Sequence, residues 1–139
     1  MKFGDPIKIL REEGGRITSA RKNILELFSR YKYPVSVQEI LLKLNGEKKR
    51  FNKTTVYRQI EELLKYGFIE KVHFADGINR YEAAKLDHHH HLVCLSCKKV
   101  SDIELVESFK KQEKIINKQK KFKVVRHSLE FFGYCFKCQ

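Results

Sequence analysis

The sequence predicts an α+β protein of two small domains. An N-terminal winged helix-turn-helix is expected over residues 1–85, and a small C-terminal α/β domain with a four-cysteine zinc site over residues 86–139. Three observations predict this. Helical periodicities come first and are followed by two alternating segments around an Asp-Gly turn, the order of a winged helix. All four cysteines fall in two Cys-x-x-Cys pairs, Cys94/Cys97 and Cys135/Cys138, behind the run His88-His89-His90-His91. The composition also breaks near residue 86: the stretch before it has no cysteine and only His73, one of the six histidines. A length of 139 residues accommodates one ordinary domain or two small ones.

The first predicted helix starts at Thr18 or Ser19, both good N-caps. Ile24, Leu25, Leu27, Phe28 and Tyr31 give it an apolar face, and Pro34 closes the segment. Ser36-Val37-Gln38-Glu39 matches a capping box, in which the Ser oxygen and the Glu carboxylate each satisfy a backbone N–H. Val37, Ile40, Leu41 and Leu44 continue that helix at helical spacing. Gly46 and Glu47-Lys48-Lys49-Arg50 form a turn. A further helix opens near Asn52 to Thr54, with Val56, Ile60, Leu63 and Leu64 on one face and Gly67 at C′. Residues 68–74 and 78–82 flank Ala75-Asp76-Gly77 as a hairpin.

The second half changes pattern. Residues 91–94 and 100–103 read as strands around the first Cys-x-x-Cys turn. Leu105, Val106, Phe109 and Ile116 fit a helix from about Glu104 to Lys120. Residues 122–126 and 127–132 alternate as further strands.

Lys+Arg 29 against Asp+Glu 17 gives a net charge of +12, which favours polyanionic partners. No apolar run approaches the ~20 residues of a membrane-spanning helix. Met1-Lys2-Phe3-Gly4-Asp5-Pro6 lacks the apolar stretch of a secretory signal, so a cytoplasmic protein is expected. Thiols stay reduced there, and paired Cys-x-x-Cys then reads as a metal site rather than a disulfide framework.

The positive charge is also placed. Between Glu47 and Glu61 there is no acid, but there are Lys48, Lys49, Arg50, Lys53 and Arg58. In helix-turn-helix proteins this helix start meets the major groove. Lysine and arginine hold phosphates there, Thr54, Thr55 and Tyr57 suit thymine methyls, and Arg58 suits guanine or phosphate. Arg16 and Arg21, at the start of the first predicted helix, are candidates for backbone or minor-groove contacts. A solvated charged helix face is the plainer reading of Lys48 to Arg50 alone; helix order, wing and one-sided charge together favour double-stranded DNA.

Two Cys-x-x-Cys pairs supply the closed four-thiolate shell of structural zinc. The 37 residues between Cys97 and Cys135 must bring the pairs together. In an extended run the histidines alternate in direction. His89 and His91 then face one way and His88 and His90 the other, which makes two half-sites. Glu82 and Asp102 are carboxylates near enough in sequence to complete the first, a donor set suited to iron, manganese or zinc. A zinc-containing thiol oxidoreductase is the enzymatic rival. No nucleophile-base constellation supports it and a closed thiolate shell opposes it, so the chain is expected not to be an enzyme.

The motif set resembles the ferric uptake regulator family. His88-His89-His90-His91-Leu92-Val93-Cys94-Leu95-Ser96-Cys97 is similar to its His-rich strand and first Cys pair. Thr55-Val56-Tyr57-Arg58 resembles its recognition helix, and His127-Ser128-Leu129 with Gly133-Tyr134-Cys135 the approach to its second pair. The resemblance runs from about Gly15 to Cys138. It implies a cytosolic homodimer joined through the C-terminal domain. It also implies metal-dependent binding to an AT-rich palindromic operator, usually as an iron-type repressor of metal homeostasis genes.

By that resemblance, Cys94, Cys97, Cys135 and Cys138 hold structural Zn2+. Glu82, His89, His91 and Asp102 form a regulatory site for Fe2+ or another divalent transition metal, and His88, His90 and His127 a third site. Tyr57 and Arg58 face DNA, with Arg16 as a minor-groove residue. Two positions depart from the family pattern. Tyr33-Pro34 stands where members carry a regulatory histidine. Lys110 stands near a long-helix glutamate of the third site, with Glu107 as a substitute. A peroxide- or zinc-sensing member and a metal-independent DNA binder are the alternatives.

Overall fold

The computed structural model describes residues 5–46, 50–84, 89–105, 108–125 and 127–139. The chain divides into two compact units, Met1–Asp87 and His88–Gln139. Lys48, Lys49, His88 and Glu107, singled out in the sequence, lie outside the described residues.

The first unit opens with helix α1 (Pro6–Glu12), which the sequence reading left out. The Asp5 carboxylate caps it by accepting from the Ile7 N–H at 3.0 Å, and Pro6 occupies the first turn, where no N–H is needed. At seven residues it is too short to show an apolar period, and a single buried side chain, Leu10, holds it to the core. Helix α2 (Ser19–Arg30) starts at the predicted cap, with Thr18 accepting from the Arg21 N–H. Ile24, Leu25, Leu27 and Phe28 are buried on its inner face.

Strand β1 (Val35–Ser36) is too short to leave a sequence signal; it pairs antiparallel with Arg80 and Tyr81. Helix α3 (Val37–Gly46) follows at once. Its capping box closes as the sequence implied. The Ser36 N–H and hydroxyl both donate to Glu39 Oε2 at 2.7 Å, and the Glu39 N–H donates to Ser36 Oγ at 3.2 Å.

Helix α4 (Lys53–Lys65) is capped by Asn52, whose Oδ1 accepts from the Thr55 N–H at 2.8 Å. It buries Val56, Ile60 and Leu63 against α2 and α3. It ends in a Schellman motif. The Phe68 N–H donates to the Leu63 carbonyl and the Gly67 N–H to the Leu64 carbonyl, each at 3.0 Å, and Gly67 takes the required left-handed φ of 67°.

The wing is β2 (Ile69–His73) paired antiparallel with β3 (Asn79–Ala83). Asp76 organises the connection: its Oδ1 accepts from the Ile78 N–H at 3.0 Å, and its Oδ2 pairs with Arg80 Nη1 at 2.8 Å. The sheet order β1-β3-β2 packs behind the helices. This is the winged helix-turn-helix that the element order predicted.

Among its described residues the second unit is one sheet and one helix. Strands β4 (His90–Cys94) and β5 (Val100–Ile103) are antiparallel, and β6 (Glu130–Gly133) runs parallel to β4 on its other edge. Helix α5 covers Lys110–Lys120, shorter than the span predicted from Glu104. Its apolar periodicity misled because Leu105 and Phe109 precede the helix; Phe109 is its N-cap and donates no capping side chain. The predicted strand over 122–126 is absent among its described residues. Lys121 turns the chain out of α5 in a left-handed conformation, and the alternation there has no neighbouring strand to serve.

One close approach gives a direct test. The Gly15 N–H donates to the Leu10 carbonyl at 2.7 Å, and a Cβ on Gly15 would lie 3.0 Å from both that oxygen and the Tyr66 hydroxyl. Gly15→Ala is expected to cost about 1–3 kcal/mol in a denaturant titration, the range of overpacking changes. Gly46→Ala, with nothing within 4 Å of the added methyl, is expected to cost nothing.

Candidate metal centre and nucleic-acid interface

The parallel pairing of β4 with β6 builds the thiolate cluster. The register sets Cys94 opposite Gly133, and the Leu95 N–H donates to the Gly133 carbonyl at 2.7 Å. Cys135 lies two residues past Gly133 and so arrives beside Cys94. Its N–H donates to Cys94 Sγ at 3.5 Å. Each pair sits on a tight turn, closed by the Lys98 N–H on the Cys94 carbonyl and the Cys138 N–H on the Cys135 carbonyl.

The ligand atoms of Cys94, Cys97, Cys135 and Cys138 all lie within 4.8 Å of one another. Cys97 Sγ and Cys135 Sγ are 3.8 Å apart. A tetrahedron with Zn–S of ~2.3 Å has edges of about 3.8 Å, whereas a disulfide would need ~2.05 Å. All four cysteines are free thiols, and the donor set fits zinc.

The electrostatics agree with a cation site. Hydrogen bonds from the backbone at Cys135 and then Cys97 pull the Cys94 thiol down to about 6. At Cys138 the Ser96 side chain favours ionisation, but hydrogen bonding with Cys135, burial and the other thiols outweigh it and push the value up to about 11. Thiols crowded this closely cannot all ionise without a counter-charge.

His89, His90 and His91 alternate in direction at the start of β4. His89 and His91 share one face, with ring centroids 4.8 Å apart. His91 stands opposite Asp102 in register, and Asp102 Oδ1 lies 3.2 Å from His91 Nδ1. A carboxylate on Nδ1 orients the imidazole so that Nε2 is the metal-binding nitrogen. Glu82 belongs to the first unit, where it is a buried carboxylate on β3.

His90 faces the other way and is 1% exposed. Its ring lies 6.5 Å from that of His127, and His127 Nδ1 is 3.0 Å from Glu113 Oε1. Glu113 was missed by the sequence reading. It is the only acid in α5 and lies one helical turn beyond Lys110. A lone carboxylate in a lysine-rich helix was the available signal.

In the first unit, α4 presents Lys53, Thr54, Tyr57 and Arg58 to solvent, with Thr55 half-buried. Arg16 is exposed in the loop before α2. Arg21 is not on that face. It is 6% exposed, and its guanidinium is committed to Gln59, Glu62 and the Arg16 carbonyl. The sequence places Arg21 at a helix start among the candidates for nucleic-acid contact; the fold turns its guanidinium toward α4. Where the family pattern has a histidine, Tyr33 accepts from Lys43 Nζ at 3.4 Å, and that ammonium sits 3.8 Å over the Tyr31 ring.

A winged helix joined in one chain to a four-thiolate, histidine-rich metal unit defines a metal-responsive transcription regulator. The ferric uptake regulator family model matches residues 12–132, and the chain belongs to that family. Its members are DNA-binding transcription regulators, not enzymes. The ferric uptake regulation protein of Neisseria gonorrhoeae is 31% identical over 139 residues, covering 99% of this chain and 95% of the relative. The solved ferric uptake regulator of Vibrio cholerae superposes with a TM-score of 0.80 at 28% identity, over 94% of this chain and all of that one. The Helicobacter pylori regulator, described as having three functional metal binding sites, superposes with a TM-score of 0.76 at 25% identity, over 94% and 87%. Among the described residues no helix is long and apolar enough to cross a membrane.

Cys94→Ser removes one corner of the cluster. Full-length protein carrying it is expected to lose its tightly held zinc by elemental analysis and to melt far lower, since such sites contribute ~10–16 kcal/mol. Retained zinc with unchanged melting would contradict the structural assignment.

Proposed function

We propose that this chain is an iron-type, metal-dependent repressor. It binds AT-rich palindromic DNA as a cytoplasmic homodimer, with structural Zn2+ on Cys94, Cys97, Cys135 and Cys138. The observation that carries the metal-sensing part is the pairing of His89 with His91 on one face of β4, with Asp102 bonded behind His91. Two imidazoles and hard carboxylates suit Fe2+ or a similar divalent ion better than a thiolate-rich set would. His89 and His91 are the proposed ligands, and Asp102 fixes the His91 ring. His90, His127 and Glu113 form the further site, with Glu113 replacing the carboxylate that Lys110 displaces.

DNA binding rests on the exposed α4 face with Tyr57 and Arg58 and on Arg16 in the preceding loop. Dimerisation rests on the second unit. Strand β6 is a sheet edge, and Phe131 and Phe132 on it are 42% and 46% exposed. Helix α5 buries none of its residues within the chain, although Ile115 and Ile116 are apolar. Among the described residues β6 pairs on one side only, and exposed apolar side chains on it and on α5 favour a surface completed by a second copy.

The combined variant His89→Ala/His91→Ala is expected to keep its zinc and its melting temperature but to lose the stimulation of DNA binding by Mn2+ or Fe2+. Fluorescence anisotropy with an AT-rich palindromic duplex measures this. Stimulation equal to that of the unaltered protein would remove both histidines from the sensing site. For the further site, Glu113→Ala/His127→Ala should lower the number of Mn2+ ions bound per chain by one in equilibrium dialysis, with the zinc unchanged. An undiminished count would leave those residues a structural pair.

A further inference from the structure

We propose that Arg21 is a positioning residue that fixes the Arg16 loop to helix α4, so that both meet one duplex as a single rigid element. This rests on the DNA-binding role proposed above. The Arg21 guanidinium is buried and shared three ways. Nε donates to Gln59 Oε1 at 2.8 Å, Nη1 donates to the Arg16 carbonyl at 2.8 Å, and Nη2 lies 3.7 Å from Glu62 Oε2. Gln59 and Glu62 are three residues apart and so lie on one face of α4. Tyr57 and Arg58 of the same helix are exposed.

The loop is held at further points. Thr18 accepts from the Arg21 N–H, and the Gly15 N–H is bound to the Leu10 carbonyl. One planar fork therefore ties a short loop, through its main chain, to the helix expected to read DNA, while the Arg16 side chain stays exposed. A buried charge with three polar partners contributes little stability that an apolar residue of similar volume would not match. Its distinctive property is direction, because the guanidinium fork fixes the angles between its acceptors and a lysine does not.

The test uses full-length, zinc-loaded protein with Mn2+ and the AT-rich palindromic duplex. Affinity is measured against salt concentration for the unaltered chain, Arg16→Ala, Arg21→Lys and the double variant. Arg21→Lys keeps the charge, so any change in salt slope reports on another residue. It is expected to weaken binding about tenfold and to lower the slope of log affinity against log salt by about one, as Arg16→Ala does. The double variant should bind no worse than Arg21→Lys alone. Zinc content and melting temperature confirm that each variant folds; if Arg21→Lys does not fold, Gln59→Leu, which breaks the α4 side of the clamp, takes its place. Additive losses, or an unchanged slope, overturn the positioning role while leaving DNA binding intact. Failure of the unaltered protein to bind the duplex overturns both readings together.

Discussion

Convergence of four sulfurs through the parallel β4–β6 pair is the constraint on which the second unit depends. Among its described residues that unit has few buried side chains: β4 supplies most of them, and α5 supplies none. A domain this small does not reach independent stability on such a core. The pairing register, with Cys94 beside Gly133, delivers Cys135 to Cys94 without any long lever. Once an ion is held there, the first and last strands of the unit cannot separate. The two histidine faces of β4 are thereby held in fixed directions, because they share the strand whose end is tied.

The first unit is organised differently. Its core is a continuous apolar cluster from α1 to β3, and its polar devices are local: three side-chain caps, a capping box, a Schellman turn and the Asp76–Arg80 pair in the wing. Each acts within a few residues of chain. Arg21 is the exception, reaching across the fold to join a loop to a helix.

This difference decides how much was legible in the sequence. Helices α2, α3 and α4 and the hairpin were readable because their caps and apolar periods lie within the segments themselves. Strand β1 and helix α1 were not, since two and seven residues carry too little periodicity. The thiolate site was readable from residue type and spacing alone, because few chemistries use two such pairs. Alternation placed His89 with His91 correctly, while the Glu113–His127 contact depends on where α5 begins, and that start was misjudged. Arg21 shows the limit most clearly. A basic residue at a helix start looks the same in sequence whether its fork points outward or inward, and only the packing of α2 on α4 decides.

The alternation along β4 carries a consequence for how the two histidine faces fail. In a strand, slippage by a single residue turns every side chain to the opposite side. Imidazoles meant for one ion would then be offered to its neighbour's partners, so a loosened sulfur clasp would scramble the ligand sets rather than merely weaken them. Loss of the ion at the sulfurs would therefore mix the two ligand sets while the unit loosened.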